Sequence, residues 1–251
     1  MNNIKLIKKW FISLGSPPLF FNLATKILSW LYPASFIVVL IGLTWGIGFA
    51  PTDYKQGDVY RIIFIHVPSA ILGQSVYLMM AVFGSICLIW RAKLAGMFLR
   101  SAAPIGACFT LLALVSGSVW GKPTWGTWWV WDARLTSTLI LFFLYAGIIG
   151  IYSSTNQKQK GDRLASLISV VGVIIIPIIK KSVDWWQTLH QPSTFSITSA
   201  PSMTSDMYLP LLICLVGFYL LLAAIILNRL RAEILMRENN TVWVSNFLKN
   251  T

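Results

Sequence analysis

Six predominantly apolar stretches recur along the chain, at roughly 27–49, 62–90, 98–119, 134–152, 164–180 and 207–228. A hydrocarbon core about 30 Å thick is crossed by around 20 helical residues, and an isolated segment in lipid must satisfy its own backbone. The pattern predicts an all-α polytopic membrane protein with about six transmembrane helices. The second stretch is longer than a bilayer requires, so its ends are expected to protrude or tilt. The fifth is short, and Pro177 is expected to kink it near its outer end. Residues 1–26 scatter Lys5, Lys8, Lys9 and Lys26 among Ile, Leu, Trp and Phe, which reads as an interfacial amphipathic segment. A signal peptide does not fit, since the apolar run that follows is too long and lacks a small-residue cleavage site. No internal repeat is visible, and residues 1–251 are read as a single integral-membrane domain.

Composition agrees. Hydrophobic residues make up 56% and charged residues 11%, against about 25% charged in soluble domains. A net charge of +12 raises the question of nucleic acid, but no soluble basic stripe with interleaved aromatics carries it. Fourteen of the 20 Lys and Arg sit at the two termini and in the connections 91–100 and 153–163. The positive-inside rule then puts both termini in the cytoplasm and turns the loops 50–61, 120–133 and 181–206 outward. Cys87, Cys108 and Cys214 lie inside apolar runs without a Cys-x-x-Cys pair and read as packing residues.

The outward side is where unusual residues gather. Five of the 12 tryptophans fall between positions 120 and 131: Trp120, Trp125, Trp128, Trp129 and Trp131. An interfacial aromatic belt accounts for some indoles, not for this one-sided density. If this segment is helical, Trp125, Trp128, Trp129 and Asp132 share a face that would lie flat on the outer leaflet. Such a face suits stacking of a flat aromatic macrocycle. Asp132 also stands where an N-cap for the fourth span is expected. Trp185 and Trp186 add a second aromatic wall on the same side.

The chain has two histidines, His66 and His190, both on the outward side. Two readings stand: axial ligands for a haem iron, or unrelated interfacial histidines bonded to backbone carbonyls. Arg61, Arg134, Lys180 and Lys181 run against the charge bias, and either meet two haem propionates or snorkel to headgroups. Gly42-xxx-Gly46 and Gly117-xxx-Gly121 match the small-residue packing pattern of membrane helices. The Ser/Thr-rich end of the 181–206 loop is expected to be mobile and open to a partner.

Trp125-Gly126-Thr127-Trp128-Trp129-Val130-Trp131-Asp132 resembles the signature of the haem-handling WWD family. Arg61-Ile62-Ile63-Phe64-Ile65-His66-Val67-Pro68-Ser69-Ala70 and Ser182-Val183-Asp184-Trp185-Trp186-Gln187-Thr188-Leu189-His190-Gln191 resemble its CcmC branch, so the likeness spans nearly the whole chain. Ile71 departs from it, because the family pattern carries Trp there. The resemblance implies haem b as transient cargo on the periplasmic face of a bacterial inner membrane, in preference to a mitochondrial one. It implies His66 and His190 as axial ligands, with a haem-binding surface of Trp120, Trp125, Gly126, Trp128, Trp129, Trp131 and Asp132. Implied partners are the haem chaperone CcmE, the ABC-type CcmA/CcmB assembly and CcmD.

The chain has no Gly-x4-Gly-Lys-Ser/Thr phosphate loop, so ATP hydrolysis would belong to a partner. The residues are read as a binding and transfer component rather than an enzyme. Whether covalent attachment of haem is accelerated here is left open. Two competing readings are a haem-exporting permease subunit, which would need ionisable groups facing the bundle interior, and a structural subunit that docks another membrane protein through its indoles.

Overall fold

The computed structural model describes residues 15–186, 188–190 and 203–249. Those residues are almost entirely helical and include six helical segments long and apolar enough to cross a membrane. Helix α1 (Pro17–Leu43) starts with two prolines, whose missing N–H groups cost nothing in a first turn, and runs on into a π-helical turn, Thr44–Phe49. A 3-10 turn, Asp58–Ile62, leads into α2 (Ile63–Trp90). Helices α3 (Lys93–Trp125) and α4 (Ala133–Ser154) follow. The fifth span is α5 (Lys158–Gly172) plus α6 (Ile175–Trp185), and the sixth is α7 (Ser205–Arg237), trailed by the short α8 (Val242–Lys249).

Pro177 breaks the fifth span rather than merely bending it. In an unbroken helix its N–H would bond the carbonyl of Val173, and proline has none. That carbonyl instead accepts from the Ile176 N–H at 3.0 Å, a tighter turn that separates α5 from α6. The first span also differs from expectation. Residues 17–26 form the opening turns of α1, continuous with the first span, and residues 1–14 of the segment expected at the interface lie outside the described residues.

The expected flat helix over Trp125–Asp132 does not form. Helix α3 continues to Trp125, and Gly126 then turns the chain at φ +81°, a conformation that favours glycine. Residues 126–132 are non-helical, so Trp125, Trp128, Trp129 and Asp132 do not share a helical face. The Ser/Thr-rich stretch 191–202, expected to be mobile, lies outside the described residues.

In lipid there is little hydrophobic force between helices, so close backbone approach and interhelical hydrogen bonds hold the bundle. Gly217 seats against Val39 of α1, where an added Cβ would stand 2.8 Å from the Val39 nitrogen. Gly42 meets Cys214 of α7 in the same way, and Gly46 lies against the Phe64 ring. Deeper in the bundle, the Tyr145 hydroxyl donates to the Gly73 carbonyl at 2.7 Å, and the Tyr77 hydroxyl donates to the Ile168 carbonyl at 3.0 Å. Their rings meet edge to face at 5.2 Å. Gly106 and Gly172 leave the room those two phenols occupy.

The connections 50–62 and 126–132 and the described residues 188–190 fall at one end of the bundle, with both histidines among them or at their flanks. The other end joins the start of α1 to α8 through Phe21, Trp243 and Phe247. Arg237 there is buried against Asp162 (2.5 Å) and Glu233 (2.5 Å).

Gly217→Ala is expected to destabilise the bundle by about 1–3 kcal/mol, through overpacking against backbone. Gly147, which has nothing within 4 Å of an added Cβ, should tolerate alanine. Melting of the two variants in detergent compares them directly.

Candidate functional site

Two loops meet at Asp132. Its Oδ1 accepts from the Leu135 N–H at 2.7 Å and caps α4, the N-cap role expected of it. Its Oδ2 accepts a hydrogen bond from the Thr188 hydroxyl, in the connection after α6. The Thr188 oxygen in turn accepts from the backbone N–H of His190 at 3.0 Å. Asp132 is 8% exposed, and each of its two oxygens is met by one of these donors. The consequence is mechanical: the Trp-rich connection and the His190 connection are fastened to one carboxylate.

His66 sits in the first turns of α2, beside Ser116 and Gly117 of α3. The Ser116 hydroxyl gives its proton to the Leu112 carbonyl at 2.6 Å, leaving its oxygen to accept from His66 Nδ1–H at 3.0 Å. With Nδ1 protonated, the lone pair of the neutral ring is on Nε2. Gly117 leaves the ring its place, since an added Cβ would fall 2.9 Å from His66 Cε1.

The imidazole centroids of His66 and His190 are 6.4 Å apart, with the rings tilted 35° to each other. A metal–imidazole bond is about 2 Å long, so two such bonds with half a ring at each end span about 6 Å. The spacing fits one metal atom held between the rings. No group of three or more His, Cys, Asp or Glu among the described residues could hold a metal ion by itself. A metal placed here would therefore bring its remaining ligands with it, as a porphyrin does.

Both histidines line a cavity of about 420 Å³ whose wall includes Trp120, Trp125, Arg134 and Lys180. Trp120 meets His66 edge-on at 5.6 Å, and its Nε1–H donates to Gln56 Oε1 at 2.8 Å. Trp125 lies 6.2 Å from His190. Toward the bundle interior the lining turns apolar, with Val67, Ile71, Leu114 and Leu211. Gln74, two helical turns from His66, also lines it, and its Oε1 is buried without a hydrogen-bond partner among the described residues. No carboxylate lines the cavity among the described residues, while Arg134 and Lys180 do, so its field favours an anionic group.

The remaining candidates separate by place. Arg134 spans from His190 Nδ1 (3.4 Å) to the Ser182 hydroxyl (3.2 Å) and the Lys180 carbonyl (3.4 Å). Arg61 is outside the cavity: it pairs with Asp58 at 2.9 Å and donates to the carbonyls of Gly46 and Ile47, which secures the end of the first span. Lys181 pairs with Asp184 on the exposed surface. Trp128, Trp131, Trp185 and Trp186 are exposed and do not line the cavity. Trp129 is half-buried, edge-on to Trp131, with its Nε1–H unpartnered among the described residues.

Ser116, Thr188, Gln56 and Ser182 carry no role in the sequence analysis, although each orients a residue that does, and Gly117 figures there as a packing glycine. The small-polar run Ser116-Gly117-Ser118 inside an apolar span was the available signal.

Residues 10–245 match the profile of a family described as CcmC, heme exporter protein C. The proteins of that name from Escherichia coli strain K12 and Haemophilus influenzae are 47% and 43% identical, over 236 and 237 residues. Those alignments cover 94% of this chain in each case, and 95% and 96% of the two relatives. The one from Bradyrhizobium diazoefficiens is 44% identical over 227 residues, covering 90% of this chain and 86% of the relative.

Asp132→Ala removes the cap of α4 and is expected to cost about 1 kcal/mol, more if the second loop is released with it. Asp132→Asn keeps a capping oxygen and should recover most of that loss. Thermal unfolding in detergent distinguishes the two, and equal melting of Ala and wild type would contradict the capping role.

Proposed function

The chain belongs to the heme exporter protein C (CcmC) family, and we propose that it holds haem between His66 and His190 at the periplasmic face. There it presents the haem to the chaperone CcmE during cytochrome c maturation. The observation that carries this reading is the pair of imidazoles 6.4 Å apart at the mouth of an indole-walled cavity. The membrane is the bacterial inner membrane of the named relatives, with the basic end of the bundle in the cytoplasm.

The two ligands are held differently, and that suits a carrier. His66 projects from a helix and is fixed by Ser116 and Gly117, whereas His190 lies on a connection fastened through Thr188 to Asp132. His190 is therefore the ligand that can leave without disturbing the bundle, opening one axial position to an incoming side chain. Trp120 and Trp125 offer ring surface to the porphyrin, and Arg134 and Lys180 are placed to meet its propionates. Trp128 and Trp131 on the connection that ends at Asp132, and Trp185 and Trp186 at the end of α6, are exposed and offer a surface on which a chaperone can dock. Haem b is the cargo, and ATP hydrolysis belongs to the CcmA/CcmB partners, with CcmD as the remaining companion.

A passage for haem through this chain alone is disfavoured. Between the histidine cavity and the basic end the interior is filled by Leu72, Tyr77, Met80, Tyr145 and Ile148, all fully buried.

Absorption spectra of detergent-purified protein test the reading. Wild type is expected to carry six-coordinate low-spin haem. His190→Ala should retain a five-coordinate species, while His66→Ala should lose most of its haem. Trp128→Ala, on the exposed rim, should retain haem and impair transfer to the chaperone. An unchanged low-spin spectrum in both histidine variants would overturn ligation by this pair.

A further inference from the structure

A second cavity, of about 940 Å³, opens at the opposite, basic end of the bundle. It lies between the α2–α3 connection, the start of α5 and the end of α7. Arg91, Lys93, Lys158, Lys160, Arg163 and Arg237 line it.

The carboxylates nearby are already engaged. Asp162 takes both guanidinium nitrogens of Arg237 at 2.5 and 2.9 Å, and accepts from the Tyr152 hydroxyl at 3.1 Å. Glu233 pairs with Arg237 and with Arg100. Glu238 accepts from the Trp243 indole at 2.8 Å. Among the described residues, Arg91, Lys93, Lys160 and Arg163 have no carboxylate within ion-pair distance. The cavity is thus left with a surplus of positive charge that no carboxylate among the described residues balances.

Two local features reinforce that surplus. Arg91 ends α2 in the left-handed region at φ 52°, the only described non-glycine residue with positive φ. Glycine is the usual occupant of such a position, so a cationic side chain stands here where none is ordinarily found. Residues Gln157–Lys160 at the cavity wall form the start of α5, which has no side-chain cap, so its first N–H groups add partial positive charge. The floor of the same cavity is apolar, formed by Cys87, Leu88 and Met97. Cationic groups at the rim over an apolar floor, at the ends of membrane helices, match a phosphate carried on an acyl-bearing molecule.

We propose that this cavity binds a phosphate-bearing anion, and that in the membrane the occupant is the headgroup of an anionic phospholipid from the leaflet at that end. Bound there, the phosphate bridges the α2–α3 connection to the start of α5, two segments that otherwise repel each other through Arg91, Lys93, Lys160 and Arg163. The proposal is independent of the haem site.

The test is native mass spectrometry of the full chain in detergent, titrated with phosphatidylglycerol, cardiolipin or phosphatidylcholine. Pyrophosphate is added in a parallel arm. Wild type is expected to retain the anionic lipids over phosphatidylcholine. Each neutralising substitution among Arg91→Gln, Lys93→Gln and Arg163→Gln should weaken retention about fivefold, and the triple variant about 100-fold. Lys55→Gln, at the other end, should change nothing. An unaltered melting temperature and haem spectrum would show that the triple variant is folded. Displacement of the lipid by millimolar pyrophosphate, with equal stabilisation by pyrophosphate alone, would support the anion site and make a soluble phosphate its occupant. Equal retention of all three lipids by wild type, with no effect of pyrophosphate, would overturn the proposal and leave an acidic protein segment as the alternative partner.

Discussion

The bond between Asp132 and Thr188 is the interaction on which the histidine-bearing end depends. Six helices in lipid bring His66 to the mouth of the bundle, whereas His190 lies beyond the last turn of α6. One carboxylate ties its connection down, by capping α4 with one oxygen and holding Thr188 with the other, and Arg134 meets its ring. A buried carboxylate with both oxygens satisfied is stable where a half-satisfied one would be costly. The same residue therefore ends the Trp-rich connection, starts a helix and sets the distance between two imidazoles.

The two ends of the bundle are built on opposite electrostatic terms. At the histidine end, Arg134 and Lys180 are the cations that line the cavity. Arg134 reaches three acceptors across the cavity, and Arg61 is spent on the end of the first span. At the basic end, a central cluster of Arg237, Asp162, Glu233 and Arg100 neutralises itself, and a ring of further cations is left over. Between them lies a packed interior joined by tyrosine hydroxyls bonded to helix carbonyls, so neither end opens into the other. Such bonds contribute on average only about 0.6 kcal/mol each, and here they serve chiefly to fix which helices face one another.

The spans, the shared side of the histidines and indoles, and the N-cap at Asp132 were all legible from hydropathy, charge bias and one short motif. What was not legible depends on pairs distant in sequence or on single-residue stereochemistry. Helical periodicity over 125–132 looked plausible, and Gly126 overrides it by turning left-handed after Trp125. The tie from Thr188 to Asp132 joins residues 56 positions apart, and that from Ser116 to His66 joins residues 50 apart, so neither has a local signature. Arg61 and Arg134 looked alike as outward cations, and only the fold shows that one faces the cavity while the other holds backbone carbonyls. Pro177 marked a kink correctly in kind, but the break it produces comes at Val173, where its missing N–H is felt.

The most direct test of this account is resonance Raman spectroscopy of haem-loaded Thr188→Val, because that substitution removes the tie to Asp132 while leaving both histidines and the α4 cap in place. The account predicts a shift from six-coordinate low-spin to five-coordinate high-spin haem, with His66 still bound. A spectrum identical to wild type would mean that His190 is positioned without Asp132, and would contradict the central role given to that carboxylate.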